Sequence, residues 1–313
     1  MASIQAVAVT DGAPARLAFT QVEAPTPAPH EALVRVRAIS LNRGEVRRAQ
    51  TAAPGWRPGW DLSGVIEQAA ADGSSPPNGS RVVGFLASSG AWAELVAVPS
   101  HSLAVLPENV SFAQAATLPV AGLTALMGLE LRGPLLERPV LITGASGGVG
   151  DFAVQLARAA GARVTAHVRT EARAQRVRDI GAHSLALGET LSAARGPFDL
   201  VFDGVGGALL GEALGLLAKG GLAVAYGQTA GPTTTFNLAQ FYATGGASLY
   251  GFILFHELLR QPAAMGLKRL VPLVADGRLQ PLIGAEARWT EIGSMAQRLQ
   301  ERDYPGKAVL HVE

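Results

Sequence analysis

Hydrophobic and polar positions alternate over the first hundred or so residues in the manner of short β-strands. In "LVRVRAI", Leu33 to Ile39, apolar residues alternate with arginines, a pattern typical of a strand with one face in water. Similar runs, separated by turn residues, extend from Ile4 to about Leu106. The pattern predicts a β-rich module in this part of the chain.

The pattern changes near "SFAQAATLPVAGLTALMGLELR", where helix-forming residues take over. After it, apolar strands such as "PVLITGA" alternate with helical segments such as "DFAVQLARAAGA", which is apolar on one side. Strands that are apolar on both faces, with helices between them, are typical of a parallel doubly wound sheet. We therefore expect an α/β fold over this stretch.

The end of the chain reads as a helix, "RWTEIGSMAQRLQERD", followed by a strand, "GKAVLHV". We expect this tail to return to the first module and to make that domain discontinuous. The predicted domains are a catalytic domain of residues 1–115 completed by 270–313, and a dinucleotide-binding domain of residues 116–269.

Composition narrows the possible partners. The net charge is only +1, and the 26 basic and 25 acidic residues are scattered, so no patch for nucleic acid or an anionic membrane is expected. No apolar stretch reaches the roughly 20 residues of a membrane helix, and the first residues do not resemble a signal peptide. We expect a cytoplasmic protein.

Metal sites are also constrained. The chain has no cysteine, and its six histidines lack the spacing of metal ligands. We therefore expect no metal, and no thiolate chemistry.

A glycine-rich turn, "LITGASGGVG", leaves the predicted strand and opens the predicted helix. Gly144, Gly147 and Gly150 have the spacing of a turn whose backbone approaches a pyrophosphate, which the N-terminus of the next helix then binds. Glycines in this position can also serve tight packing alone. The strand–turn–helix–strand context favours a dinucleotide site.

The residues after the next strand, "AHVRTEARAQR", select the cofactor. An acid here would bind the ribose hydroxyls of NAD, whereas Arg169, Thr170 and Arg173 suit a 2′-phosphate. The sequence therefore favours NADPH over NADH.

The charged residues near this position also have purely structural interpretations. Arg173, Arg176 and Arg178 can form the water-facing side of an amphipathic helix, an interpretation that we favour for Arg176 and Arg178. Glu171 can pair with nearby arginines, and Asp151 is interpreted as a favourable acid at a helix start.

Several ordered motifs resemble the medium-chain dehydrogenase/reductase superfamily, in its zinc-independent quinone oxidoreductase branch, and they cover nearly the whole chain. They include "PGWDLSGVIE", "AATLPVAGLTAL", "VLITGASGGVGDFAVQLARAAGARV", "FDLVFDGVGG" and "GKAVLHV". The resemblance implies a GroES-like β-rich catalytic domain, a Rossmann domain with a doubly wound parallel sheet, a cleft between them, and a homodimer formed through the Rossmann sheet. Where the zinc enzymes of this fold carry their metal ligands, this chain has "LNRGE" and "GWDLSG".

The resemblance also assigns roles to residues. It implies that Asn42 and Thr124 lie near the nicotinamide, and that Gly227 ends a strand whose following loop covers the nicotinamide. The implied pyrophosphate loop consists of Gly144, Ser146, Gly147, Gly148 and Val149, and Arg169 and Arg173 flank the 2′-phosphate. Asn42 can instead cap a turn, and Thr124 can bond back within its helix.

The segment after Asn42 departs from the family pattern. The family usually has Pro after this Asn and Asp at the position of Glu45, whereas this chain reads "NRGE". Trp56 and Trp60 follow in a short segment, where their rings either line an aromatic substrate or pack the edge of the module.

The expected chemistry is hydride transfer from NADPH to a small-molecule acceptor that stabilises its own negative charge, such as a quinone or an α,β-unsaturated carbonyl. Candidate donors to the developing oxyanion are backbone N–H groups, the Asn42 amide and Tyr250, and the proton comes from water, Tyr250 or Tyr242. The alternatives are an enoyl reductase of a biosynthetic pathway and an NADPH-binding redox sensor with little turnover.

Overall fold

The computed structural model describes residues 3–313 and contains fifteen strands and ten α-helices within them. The strands are, in chain order, β1 (Ser3–Val9), β2 (Leu17–Glu23), β3 (Glu31–Ser40), β4 (Asp61–Gln68), β5 (Arg81–Phe85), β6 (Leu95–Pro99), β7 (Leu103–Val105), β8 (Pro139–Ile142), β9 (Arg163–Val168), β10 (Ser184–Leu187), β11 (Phe198–Asp203), β12 (Leu217–Ala225), β13 (Ser248–Gly251), β14 (Ile283–Arg288) and β15 (Lys307–His311).

The helices lie between them. They are α1 (Arg43–Ala49), α2 (Phe112–Ala116), α3 (Leu123–Glu130), α4 (Gly148–Ala159), α5 (Ala174–Asp179), α6 (Gly207–Leu214), α7 (Leu238–Ala243), α8 (Leu254–Glu257), α9 (Ala263–Ala275) and α10 (Ile292–Glu301). A π-helical turn, Leu118–Gly122, joins α2 to α3.

The chain divides into two compact units. One contains the residues up to Leu123 together with Leu258–Glu313, and the other is Thr124–Glu257. The cuts fall after Leu123 and Glu257, whereas the sequence predicted them after residues 115 and 269.

The first unit is β-rich. Its main sheet has the order β14-β15-β3-β4-β5-β7, with β6 paired to β3, and β1 and β2 form a separate antiparallel pair. The last strand, β15, lies antiparallel to β3, with Val309 opposite Ser40. Because β4 also pairs with β3 and places Asp61 opposite Ser40, the ends of three distant segments meet at one place.

The second unit contains a six-stranded sheet with the order β10-β9-β8-β11-β12-β13, in which every neighbouring pair is parallel. The interior of β8 is fully buried, as expected for a strand covered on both faces. β9 and β11 flank β8, so the strand order reverses at β8 and opens a crevice at the carboxyl ends of the strands. The predicted α/β class with a β-rich domain and a doubly wound parallel sheet is confirmed.

Candidate functional site

The glycine-rich turn lies at the carboxyl end of β8, where the strand order reverses. Gly144 has φ +62°, a left-handed conformation that glycine adopts without steric cost. A Cβ on Gly150 would lie 2.7 Å from the Cα of Ala145 and also against the carbonyl of Gly144. Only glycine at this position therefore allows α4 to begin directly against the turn.

Internal hydrogen bonds hold the turn in shape, and the start of α4 beside it presents backbone N–H groups for an anion. Ala145 N–H donates to the His167 carbonyl at 3.1 Å, and Gly147 N–H donates to the Gly144 carbonyl at 2.9 Å, which fixes the shape of the loop. Gly148 and Val149 open the twelve-residue helix α4, whose first N–H groups have no acceptor within the helix. These N–H groups and the positive end of the helix dipole fit an anionic diphosphate.

Three other predicted cofactor residues of this unit lie at the same edge of the sheet. Arg169 and Thr170 directly follow β9, and Gly227 lies two residues after the end of β12. Since all strands of this sheet are parallel, their carboxyl ends form one edge. The sheet thus brings together the glycine turn, Arg169, Thr170 and Gly227.

The loop after Gly227 folds back onto the end of β11. Ala230 N–H donates to the Val205 carbonyl at 2.8 Å, and the Thr229 hydroxyl donates to the Gly204 carbonyl at 3.4 Å.

Thr124, the first residue of this unit, is buried on α3. Its role near a nicotinamide stays a prediction.

The charged side chains near the proposed 2′-phosphate position differ in whether they already form an ion pair. Glu171 pairs with Arg178 at 2.6 Å, and among residues 3–313 Arg169 has no ion pair and is exposed. Arg173 is half-buried. Because the Arg169 guanidinium has no ion-pair partner among these residues, it can bind a phosphate without first losing an intramolecular contact.

Arg176 does not simply face water, contrary to our interpretation. Its guanidinium binds the carboxylate of Asp151 at 3.0 and 3.2 Å, and Asp151 is almost completely buried in the first turn of α4. Burial raises the pKa of Asp151, and the bond from Arg176 opposes that rise. Asp151 is thus more than a favourable helix start, because it joins α4 to α5.

A second buried carboxylate supports the same edge. Asp203, the last residue of β11, accepts hydrogen bonds from the Thr143 hydroxyl at 2.5 Å and from the Gly206 N–H at 2.8 Å. Burial raises the pKa of Asp203, and these two bonds oppose the rise. The residue was not singled out in the sequence, although an acid that ends an apolar strand signals a buried hydrogen-bonded role.

Asn42 belongs to the other unit and lies in a buried polar cluster. Its amide Nδ2 donates to Glu45 Oε1 at 3.0 Å and to Asp61 Oδ2 at 2.8 Å, and its Oδ1 accepts from Lys307 Nζ. Both amide hydrogens are therefore occupied within the cluster. Asn42 has no free N–H for a substrate in this arrangement, and its role near the nicotinamide stays a prediction.

Lys307 is the cation of this cluster and is 4% exposed on its side chain. Its Nζ also donates to the Leu41 carbonyl at 2.9 Å and lies 3.3 Å from Asp61 Oδ2. No role for this lysine was predicted from the motif "GKAVLHV". A lysine within an otherwise apolar strand was the available signal, because a buried charge requires a partner.

Glu45 completes the cluster. Its Oε1 accepts the Asn42 backbone N–H at 2.8 Å, and its Oε2 accepts the Trp60 N–H at 3.0 Å. Burial and the negative charge of Asp61 raise the pKa of Glu45 to about 8, against the opposing effect of Lys307. Glu45, which stands where the family usually has Asp, thus caps the start of α1 by a hydrogen bond from the Asn42 backbone.

The two tryptophans pack within their own unit. Trp56 lies against the hydrophobic core beneath the Arg48 guanidinium, 4.8 Å from its ring centroid, and Trp60 is buried with its indole N–H donating to Ser89 at 3.0 Å. These contacts favour the packing interpretation over an aromatic wall for a substrate.

Tyr250, predicted as catalytic, lies on β13 at the end of the parallel sheet. Its hydroxyl donates to Glu257 Oε1 at 2.6 Å, and Glu257 is buried. Tyr242 is exposed on α7. The catalytic role of Tyr250, and the alternative of Tyr242 as the proton donor, stay predictions.

Neither a metal-ligand group nor a membrane-spanning helix is found among the described residues. Within residues 3–313, no three His, Cys, Asp or Glu side chains group in a way that could hold a metal ion. None of the helices in the described part of the chain is long and apolar enough to cross a membrane.

Two family models match the chain. The model described as an alcohol dehydrogenase GroES-like domain matches residues 28–108, and the model described as a zinc-binding dehydrogenase matches residues 148–268. The matches fall on the β-rich unit and on most of the parallel-sheet unit.

Individual proteins are similar as well. A quinone oxidoreductase of Salmonella typhimurium is 30% identical over 290 residues, which cover 87% of this chain and 86% of that protein. A chloroplast envelope quinone oxidoreductase homolog of Arabidopsis thaliana is 36% identical over 170 residues, 50% of this chain and about half (52%) of its own length. A mycobacterial structure described as complexed with NADPH has a TM-score of 0.87 and 26% identity, and the match covers 99% of this chain and 100% of that one.

Proposed function

This chain belongs to the quinone oxidoreductase-like branch of the medium-chain dehydrogenase/reductase superfamily, and from that premise we propose that it is an NADPH-dependent reductase of quinones or α,β-unsaturated carbonyls. The observation that carries the proposal is the glycine turn that opens α4 at the reversal of strand order, with Arg169 after the neighbouring strand.

The residues of the parallel-sheet unit bind and orient the dinucleotide. The N–H groups of Gly148 and Val149 hold the diphosphate, with Gly144, Ser146 and Gly147 shaping the loop. Arg169, Thr170 and Arg173 hold the 2′-phosphate, and Thr124 and the loop after Gly227 border the nicotinamide. When bound, the cofactor supplies the hydride.

The acceptor must be electron-poor in its own right. The chain has no cysteine from which to build the cysteine-containing zinc sites that polarise simple ketones in related enzymes. Quinones and enones delocalise the arriving charge onto their own oxygen, where a hydrogen-bond donor stabilises it. Asn42 and Tyr250 remain the side chains proposed for this donor, and each must exchange an intramolecular acceptor, Glu45 or Asp61 for Asn42 and Glu257 for Tyr250, to reach a substrate oxygen.

We further propose that the protein is a cytoplasmic homodimer. β13 ends the parallel sheet, its backbone edge has no strand partner among the described residues, and Leu249 on it is 46% exposed. An exposed apolar edge strand favours pairing with a second copy. Light scattering of the purified protein tests this assembly.

The function is tested by following NADPH and NADH oxidation by absorbance with a small quinone and with an enone. NADPH-selective reduction of the quinone supports the proposal, and reduction of the enone alone indicates an enoyl reductase. Tight NADPH binding without turnover on either acceptor overturns the enzymatic proposal in favour of a redox sensor.

A further inference from the structure

Tyr226 directly follows β12, at the same edge of the sheet as the glycine turn. Its backbone N–H donates to the Asp203 carbonyl at 2.9 Å, and its ring stacks on Phe202 with centroids 4.3 Å apart and planes at 29°. Both contacts are made with the last two residues of β11. The tyrosine ring is therefore held over the end of that strand.

The hydroxyl end of the ring lies over Gly204, the first residue after β11. A Cβ on Gly204 would lie 2.6 Å from Cζ and 2.8 Å from Cε2 of Tyr226, and it would also touch the hydroxyl oxygen. Any side chain at Gly204 would displace the ring. The glycine thus leaves the space that this phenol occupies.

The hydroxyl of Tyr226 forms no hydrogen bond with any residue in the described part of the chain. It is also not among the polar atoms there that are both fully buried and without a partner. Phenylalanine would make the same ring stack without leaving a polar group unpaired in a half-buried position. Packing therefore does not account for the hydroxyl. Burial and the nearby charge of Asp203 raise the pKa of Tyr226, so the phenol remains protonated and acts as a donor.

The strand order indicates which ligand group the donor meets. In a doubly wound sheet, a dinucleotide crosses the point where the strand order reverses, with one nucleotide on each side. Arg169 follows β9 on one side of β8, which assigns the 2′-phosphate and adenosine to that side. β11 and β12 lie on the other side, and the Tyr226 hydroxyl lies over the end of β11.

We propose that the Tyr226 hydroxyl donates a hydrogen bond to an oxygen of the nicotinamide nucleoside of the bound dinucleotide, and so positions the nicotinamide half. The proposal rests on the proposed function, since it requires that the unit bind NADPH. It adds Tyr226 as a positioning residue and assigns its unpaired donor.

The test is the Y226F variant, which removes the hydroxyl and keeps the ring. Dissociation constants are measured by fluorescence titration for NADPH and by calorimetry for adenosine 2′,5′-bisphosphate, which lacks the nicotinamide nucleoside. We expect the NADPH constant to rise about three- to tenfold, as for the loss of one hydrogen bond, with the bisphosphate constant unchanged. Y304F is the matched control, because it removes a phenol hydroxyl in the other unit, and both constants should stay at their wild-type values.

The G204A variant provides a second measurement. It keeps the hydroxyl but forces the ring to move, so NADPH should bind more weakly while the bisphosphate again binds as in the wild type. Loss of affinity for both ligands in Y226F would indicate a structural role and overturn the inference. An unchanged NADPH constant with a lower kcat would place the donor on the substrate and also overturn it.

Failure of the proposed function would give a different pattern of binding results from failure of the Tyr226 assignment. A wild-type protein that binds neither NADPH nor the bisphosphate overturns both proposals. A wild-type protein that binds NADPH tightly, with Y226F binding it equally well, overturns only the assignment of Tyr226.

Discussion

The guanidinium of Arg176 binds both carboxylate oxygens of the buried Asp151, at 3.0 and 3.2 Å. This places a neutralised acid in the first turn of α4, directly after the turn that we propose to bind the diphosphate. An unpaired carboxylate there would repel a phosphate, whereas the pair presents little net charge. The same contact fixes α5, which Arg173 directly precedes, against α4.

The R176M variant tests the importance of this pair. It leaves the Asp151 carboxylate buried without its cation, and because Arg176 is itself partly exposed we expect a loss of about 1 to 3 kcal/mol in the free energy of unfolding. Urea denaturation measures the change. R178M is the control, since Arg178 pairs with Glu171 at the surface and should change the stability by less than about 1 kcal/mol. Equal losses in the two variants would contradict a special role for the Arg176–Asp151 pair.

The R169A/R173A double variant tests the choice of cofactor. Each lost charge-assisted contact with the 2′-phosphate should weaken NADPH binding by about 1.5 to 3 kcal/mol and leave NADH binding nearly unchanged. Fluorescence titration with both cofactors gives the ratio. R163A serves as the control because Arg163 begins β9 at the opposite end of the strand. If the double variant keeps the wild-type preference between the cofactors, the 2′-phosphate site lies elsewhere.

Glu45 should make the stability depend on pH. Its carboxyl has a pKa raised from 4.5 to about 8 in the folded protein, so between these values the folded state holds a proton that the unfolded state has released. Stability from this group is therefore fully present below about pH 4.5 and falls as the pH rises towards 8, by at most about 1.4 kcal/mol per pH unit.

The E45Q variant cannot titrate at this position. The difference in unfolding free energy between wild type and E45Q should therefore shrink or reverse as the pH rises through this window, as measured by urea denaturation at a series of pH values. E108Q, at an exposed acid, should follow the wild-type curve. Parallel curves for wild type and E45Q would show that Glu45 is ionised throughout.

Lys307 should be essential to the stability of the β-rich unit. In K307M the Asp61 carboxylate, which is completely buried, loses its cation, and Asn42 loses the donor to its Oδ1. Breaking a buried ion pair costs about 3 to 5 kcal/mol. K268M, at an exposed lysine of the same unit, should change the stability little.

A double-mutant cycle sharpens this test. D61N/K307M removes both charges, so its loss of stability in urea denaturation should be smaller than the sum of the two single losses. Additive losses would show that Lys307 and Asp61 do not interact in the folded protein.

Local signals in the sequence predicted much of the fold, and they are also the basis of the proposed cofactor site. The turn from β8 to α4 combines an apolar strand, closely spaced glycines and an amphipathic helix, and each of these has a local physical cause. The position of Arg169 directly after β9 was also predictable, whereas its contact with the 2′-phosphate near the adenosine ribose stays a prediction.

Contacts between distant segments were decided only by the tertiary structure. Lys307 meets Asn42 because β15 pairs with β3, across 265 residues of chain, and no local pattern specifies the partner of a buried charge. Arg176 has the spacing of a surface residue, yet it reaches Asp151 on a neighbouring helix. Tyr226 follows an ordinary strand, and the bare backbone of Gly204 beside it becomes meaningful only when β11 and β12 pair.

The sequence by itself therefore determined the α/β class, the glycine turn and the cofactor preference that we propose, because strand and helix periodicity, turn chemistry and the sign of a nearby charge are short-range properties. The tertiary structure decided which polar groups are buried, which are paired and which donors stay free. Those outcomes depend on hydrogen bonds and burial between segments that are far apart in the chain. They distinguish Tyr226, whose hydroxyl has no hydrogen-bond partner among residues 3–313, from Tyr250, whose hydroxyl is bound to Glu257.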